Sequence, residues 1–193
     1  MNQQKIAKIS KKLRHVLDEE RYEHTIAVMY VSGALAMAYN IDLNKAMIAG
    51  LLHDCAKCLS GKTKLKMCKK NRLSINSYEK KNPGLLHAKL GAFLAKIKYN
   101  VLDEEVLDAI EFHTTGRPNM TMLDKIIYIA DYIEPNRKTA PNLDEVRKLA
   151  FDNIDECLYK ILDDSLNYLS KKNMPIDPMT EQTFQFYKKE LNK

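Results

Sequence analysis

An all-α fold, a single helical bundle, is the class this sequence predicts, and three observations predict it. Apolar residues recur at helical spacing along almost the whole chain, and no stretch alternates strongly enough to read as a strand. Lys, Leu, Ile, Ala, Glu and Asp dominate, glycine is scarce and tryptophan is absent. The breaks are short and carry Asn, Asp, Gly or Pro, with no Gly/Ser/Pro-rich linker and no internal repeat. At 193 residues and 45% hydrophobic, the chain is long enough to close a core and too apolar for disorder. One domain over 1–193 is expected.

The elements follow in order. A first helix is predicted over 5–17. A second begins around Arg21 and carries Ile26, Val28, Val31, Leu35 and Ala38 on its apolar side. Asn40-Ile41-Asp42 breaks it, and Asp42 is placed to cap a helix over 43–57. A short basic helix is predicted over 62–72, and Asn82-Pro83-Gly84 marks a turn. Helix resumes over 85–98. The next, over 103–114, opens on Asp103, Glu104 and Glu105, which suit the positive end of the helix dipole. Gly116-Arg117-Pro118 ends it. Thr121 opens an apolar helix over 122–133, stopped ahead of Pro135. One long helix over 143–169 and a last one over 180–191 complete the chain.

A net charge of +6 points to an anionic partner. The basic residues are spread out, and nothing interleaves arginine with aromatics as a nucleic-acid groove requires, so nucleic acid is not the expected partner. No apolar stretch reaches membrane-spanning length, and the N-terminus lacks a signal-peptide core. The expected location is the cytoplasm, where the four cysteines stay reduced. Cys55 and Cys58 form a C-x-x-C at a helix end, without the strand-turn-helix context of a redox motif, and read as ordinary thiols.

Four of the five histidines fall in one series with two aspartates: His24, His53-Asp54, His87, His113 and Asp131. Imidazole nitrogens with carboxylate oxygens suit iron, manganese or zinc. The doublet His53-Asp54 ends the apolar run Ala46-Met47-Ile48-Ala49-Gly50-Leu51-Leu52, and Asp131 sits among Ile126, Ile127, Ile129, Ala130 and Ile133. A carboxylate in such surroundings needs an ionic partner or a cation. Taken singly, each histidine has an ordinary reading: His24 as a hydrogen-bonded helix residue, His87 as a cap, His113 as a cation at a helix C-terminus. Asp131 alone could pair with a lysine or arginine. Only His15 lies outside the series, and it reads as surface.

Arg21-Tyr22-Glu23-His24, Leu52-His53-Asp54-Cys55-Ala56-Lys57, Leu86-His87-Ala88, Ile110-Glu111-Phe112-His113-Thr114-Thr115-Gly116 and Ile129-Ala130-Asp131-Tyr132-Ile133-Glu134-Pro135-Asn136-Arg137 carry a family resemblance. Over residues 15–190 the chain resembles the HD superfamily of metal-dependent phosphohydrolases. More narrowly it resembles the YqeK group of bacterial symmetrical diadenosine tetraphosphate hydrolases. The resemblance implies a metal-binding core over 19–137, with C-terminal helices over 138–193 packing on it. It implies iron, as one or two ions, held by His24, His53, Asp54 and Asp131, with His87 and His113 on a second ion or on substrate phosphate. Manganese, zinc or another divalent cation is the alternative. It implies catalysis by His53, Asp54, His87 and His113. Substrate contacts would come from Arg21, Asp54, Cys55, Ala56, Lys57, His87, His113, Thr114 and Arg137.

By themselves the residues support metal-dependent cleavage of a phosphate ester or anhydride; the resemblance implies attack of metal-activated water on a central phosphorus of the dinucleoside polyphosphate diadenosine tetraphosphate, releasing two ADP. Arginines at positions 21 and 137 suit bidentate phosphate recognition. The competing readings are an HD-type nucleotidase or phosphodiesterase, a non-catalytic nucleotide- or RNA-binding module, and a helical scaffold whose histidines only pack. Aromatic side chains near Tyr159-Tyr168 and Phe184-Tyr187 offer either a homodimer contact or intramolecular core.

Overall fold

The protein is described by a computed structural model over residues 3–191; residues 1–2 and 192–193 of the expected unit lie outside the described residues. These residues form an all-α arrangement without strands, as expected. The helices are α1 (Gln3–Leu13), α2 (Glu19–Ala38), α3 (Leu43–Leu52), α4 (Gly61–Lys70), α5 (Ser77–Lys81) and α6 (Leu86–Tyr99). They continue with α7 (Glu104–Phe112), α8 (Met122–Ile133), α9 (Leu143–Asp152), α10 (Ile154–Lys171) and α11 (Pro178–Leu191). No helix among the described residues is long and apolar enough to cross a membrane.

The capping residues stand where helix chemistry needs them. Asp42 accepts from the Asn44 and Lys45 N–H groups, Asp103 from Val106, and Thr121 from Asp124 in a reciprocal capping box. Four departures from expectation have a local reason. Asp18 accepts from the Arg21 N–H, so α2 starts two residues early and His24 lies in its second turn. The first helix stops at Leu13, and a turn carries the chain to Leu17 through bonds from the Val16 and Leu17 N–H groups to the Leu13 carbonyl. The predicted 43–57 helix stops at Leu52. Beyond it the Cys55, Lys57 and Leu59 N–H groups reach carbonyls three residues back, in successive turns. The predicted 143–169 helix is two helices. Asn153 adopts an extended backbone (φ −140°, ψ 95°) and its side chain caps α10 at the Glu156 N–H. α5, not foreseen, is started by a capping box between Asn76 and Glu79.

α3 is the interior helix. Residues Ala46 to Leu52 are all buried, and it packs on α1, α2, α6, α7 and α8. A helix apolar on every side can only be stable when surrounded. Each fully buried leucine or isoleucine here contributes roughly 1.5–3 kcal/mol. α8 is the second interior helix and packs on α2, α3, α7, α9 and α10. The last helices close on this core. Tyr159 stacks on Phe184 with ring centroids 5.4 Å apart, and the buried Tyr187 hydroxyl accepts the Met120 N–H at 2.9 Å. These aromatic residues therefore pair within the chain, while Tyr168 stays exposed.

Candidate metal centre

Five helices bring the six series residues to one place. His24 comes from α2, and His53 and Asp54 from the turn that ends α3. His87 lies in the first turn of α6, His113 just past α7, and Asp131 late in α8. The imidazoles form a row in the order His24, His53, His113, His87, with successive ring centroids 5.3, 4.9 and 5.0 Å apart. Asp54 lies at the middle of the row and is 1% exposed. Its Oδ2 faces His53 Nε2 at 3.6 Å and His24 Nε2 at 3.9 Å. Its Oδ1 faces His87 Nε2 at 3.1 Å and His113 Nε2 at 3.6 Å. Asp131 Oδ1 lies 3.2 Å from His24 Nε2.

The ring orientations are set by the backbone. The Nδ1 atoms of His53, His87 and His113 each lie 2.7 Å from a carbonyl three residues earlier, those of Gly50, Gly84 and Ile110. A carbonyl only accepts, so Nδ1 carries the proton and each Nε2 offers a lone pair inward. His24 and His53 nevertheless bring their Nε2 atoms to 3.3 Å, and His87 and His113 to 3.2 Å, with the Asp54 carboxylate among them. Asp54 Oδ1 is buried without a hydrogen-bond partner. Facing lone pairs beside an unsatisfied buried oxygen repel one another unless a cation lies between them. The residues present therefore fit a divalent metal. Two overlapping donor groups are close enough to hold an ion: His24, His53 and Asp131, and His53, Asp54 and His113.

The protonation states agree. Burial pushes His53 down to about 4, and His113 and His24 beside it act in the same direction. Burial and Lys57 take His87 to about 4 as well. Both rings are neutral, as metal ligands must be.

Cationic side chains surround the acids. Arg21 Nη1 donates to Asp54 Oδ2 at 2.9 Å, and Arg137 Nη2 to Asp131 Oδ1 at 3.1 Å. Asp131 is 27% exposed at its side chain and so has both an ionic partner and an open side. Lys57 Nζ lies 3.2 Å from His87 Nε2 and 3.6 Å from Asp54 Oδ1. The Thr114 hydroxyl lies 3.2 Å from His87 Nε2 and 3.1 Å from His113 Nε2. The Cys55 thiol points away, toward the Gly91 carbonyl at 3.5 Å, and Ala56 is fully buried. Neither side chain borders the cavities described next. Cys58 is free, its thiol directed at Asp18.

A cavity opens at each end of the row. One, of about 660 Å³, is bordered by His87, Thr114, Lys57, Lys64, Tyr78 and Asn82. The other, of about 380 Å³, is bordered by His24, Arg21, Glu134, Asn136, Arg137 and Lys138. Of those not singled out from the sequence, two are buried. Lys64 reads as one lysine in a solvated run, yet it is 5% exposed and donates from Nζ to the Lys57 carbonyl at 2.9 Å. Glu134 is 3% exposed, with Oε1 3.3 Å from His24 Nδ1. Its place in the Asp131–Arg137 segment was the available signal.

Comparison with known proteins adds to this geometry. The HD domain family matches residues 21–136. The chain is similar to a protein of Bacillus subtilis (strain 168) named bis(5'-nucleosyl)-tetraphosphatase, symmetrical. The two are 40% identical over 174 residues, covering 90% of this chain and 92% of the relative. A relative of the same name from Halalkalibacterium halodurans is 42% identical over 168 residues, covering 87% and 89%. The fold is similar to a crystal structure of a predicted HD superfamily hydrolase involved in NAD metabolism from Clostridium acetobutylicum. There the TM-score is 0.92 at 41% identity, covering 95% of this chain and 97% of that one.

Proposed function

This chain belongs to the HD-domain family, and from that premise we propose that it cleaves diadenosine tetraphosphate symmetrically into two ADP. The observation that carries the reading is the row of imidazoles centred on Asp54 with a cavity at each end. A substrate with a nucleoside at both ends and a polyphosphate between them suits such a site. The central phosphates would lie along the row and the nucleosides in the cavities.

The residues that would hold the metal are His24, His53, Asp54 and Asp131, with His87 and His113 available to a second ion. We assign the metal as iron, which an imidazole and carboxylate donor set suits. When bound, such an ion polarises a phosphoryl oxygen and brings the pKa of water to about 7.

The chain's own groups do the rest. The backbone carbonyls of Gly50, Gly84 and Ile110 keep three rings facing inward before any substrate arrives, so no reorganisation is needed during reaction. Arg21 and Arg137 border the smaller cavity. There their guanidinium forks can turn from Asp54 and Asp131 to phosphate, which matches them bidentately. Lys57 at the other end neutralises the second half of the polyphosphate, and Lys64, which holds the Lys57 carbonyl, fixes that turn. The Thr114 hydroxyl can donate to a phosphate oxygen there.

The test is product identification. Protein purified without air should contain iron by elemental analysis and should convert diadenosine tetraphosphate to ADP alone. AMP with ATP, or no turnover by metal-loaded protein, would reject the assignment.

A further inference from the structure

Three of the four rings in the row are oriented by the main chain, and His24 is the exception. Its Nδ1 faces the Glu134 carboxylate, Oε1 at 3.3 Å, and the other carboxylate oxygen, Oε2, accepts the Asn136 N–H at 2.7 Å. Glu134 follows the last residue of α8 and is 3% exposed. Its backbone carbonyl is held separately: Arg147 donates to the Glu134 and Arg137 carbonyls at 3.0 and 3.1 Å, and to that of Ile133 at 3.0 Å. The turn is thus fixed by Arg147 through the backbone, which leaves the buried carboxylate to the two N–H groups it faces.

We propose that Glu134 is a positioning residue that fixes the tautomer of His24 and makes it a stronger metal donor. A carboxylate can only accept; Asp131 Oδ1, 3.2 Å from Nε2, competes for the ring proton with Glu134 Oε1, 3.3 Å from Nδ1, so the proton settles on Nδ1 once a metal ion takes Nε2. A carboxylate behind an imidazole also raises the ring's donor strength beyond what a neutral carbonyl achieves. The row is therefore asymmetric, with its most electron-rich ring at the end that borders the smaller cavity. The inference rests on the metal-centre reading but not on the identity of the substrate.

Glu134→Gln has nearly the same shape but cannot satisfy both neighbours. An amide has one accepting oxygen. If it serves the Asn136 N–H, the NH₂ group faces His24 Nδ1 and forces the ring proton onto Nε2. If it serves His24, two donors oppose each other at Asn136.

The experiment has two arms. In the first, Mn²⁺ affinity of the full chain is measured by chelator competition for wild type and Glu134→Gln. Metal-bound histidines typically lose 10–100-fold in affinity when such a partner is removed, and a rise of that size in Kd is expected, with turnover recovering at saturating Mn²⁺. In the second, which needs no variant, two-bond ¹H–¹⁵N correlation spectra of Zn²⁺-loaded wild type report the His24 tautomer. The expected form carries its proton on Nδ1. An unchanged Mn²⁺ affinity in folded Glu134→Gln, or a wild-type His24 protonated on Nε2, would overturn the proposal. Wild type that takes up no Mn²⁺ would overturn the metal reading and this proposal with it.

Discussion

Gly50 couples packing to the site, and Gly50→Ala is the perturbation that exposes the coupling. Gly50 lies on α3 against α2. A Cβ there would stand 2.7 Å from Ser32 Oγ, 3.0 Å from Met29 Cα and 3.2 Å from Ser32 Cβ. The serine oxygen could rotate away, but the Met29 contact is backbone, so the two helices must part by a few tenths of an ångström. In an open helix, alanine gains about 1 kcal/mol over glycine. Forcing atoms into a close-packed interface costs about 1–3 kcal/mol. The net expectation is a loss of up to about 2 kcal/mol, or up to about 4–8 °C in Tm for a domain of this size. Because the Gly50 carbonyl holds His53 Nδ1 and His24 rides on α2, Mn²⁺ affinity should fall as well. Gly91→Ala is the control. Its Cβ would meet His53 O at 3.4 Å, Ile110 Cγ2 at 3.5 Å and Cys55 Sγ at 3.7 Å, all ordinary contacts, so the helix-propensity gain survives. Urea denaturation and Mn²⁺ titration of both variants decide the matter. If Gly50→Ala is stabilised as much as Gly91→Ala, the close approach of α2 and α3 does not constrain the centre and the reasoning fails.

Four further outcomes are expected. His53→Ala and Asp131→Ala should lose bound metal and hydrolysis together. Cys55→Ser should keep both, since burial and the Asp54 charge raise that thiol to about 12 and it faces away from the ligands; metal content and product assays check this. In metal-free protein, His53 and His87 titrate near 4 in the folded chain against 6.5 when free, so the unfolded chain binds more protons between those values and stability must fall as pH drops from 6.5 toward 4. The ceiling is roughly 3 kcal/mol per ring, and a Tm flat from pH 7 to 4.5 would contradict it. Tyr187→Phe strands the buried Met120 N–H and should cost about 1–3 kcal/mol by urea unfolding; no loss would mean that α11 is not fastened there.

Much of this protein is local and so was legible in one dimension. Helical spacing, the caps Asp42, Asp103 and Thr121, and the His-Asp series are written in neighbouring residues, because capping and periodicity act within a few positions. The site's composition was legible for the same reason: ionisable groups in apolar runs announce themselves. Where local signals compete, the sequence misleads. Asn153 reads as one polar residue inside a long helix, yet its side chain takes the Glu156 N–H and splits that helix in two.

What sequence could not decide is which groups meet across the interior. The order of the rings, with His113 between His53 and His87, follows from α3, α6 and α7 packing together. Lys64 is distinguishable from its neighbouring lysines only once the Lys57 carbonyl lies over it, and Glu134 only once α2 presents His24 to it. Most of the helices and all six donor residues could be read along the chain; the packing of the helices decided the order of the rings, their partners and the two openings. The physical reason is that contacts such as His24 with Glu134, 110 positions apart, and His87 with His113, 26 apart, are fixed by the packing of whole helices, which leaves no periodic trace along the chain.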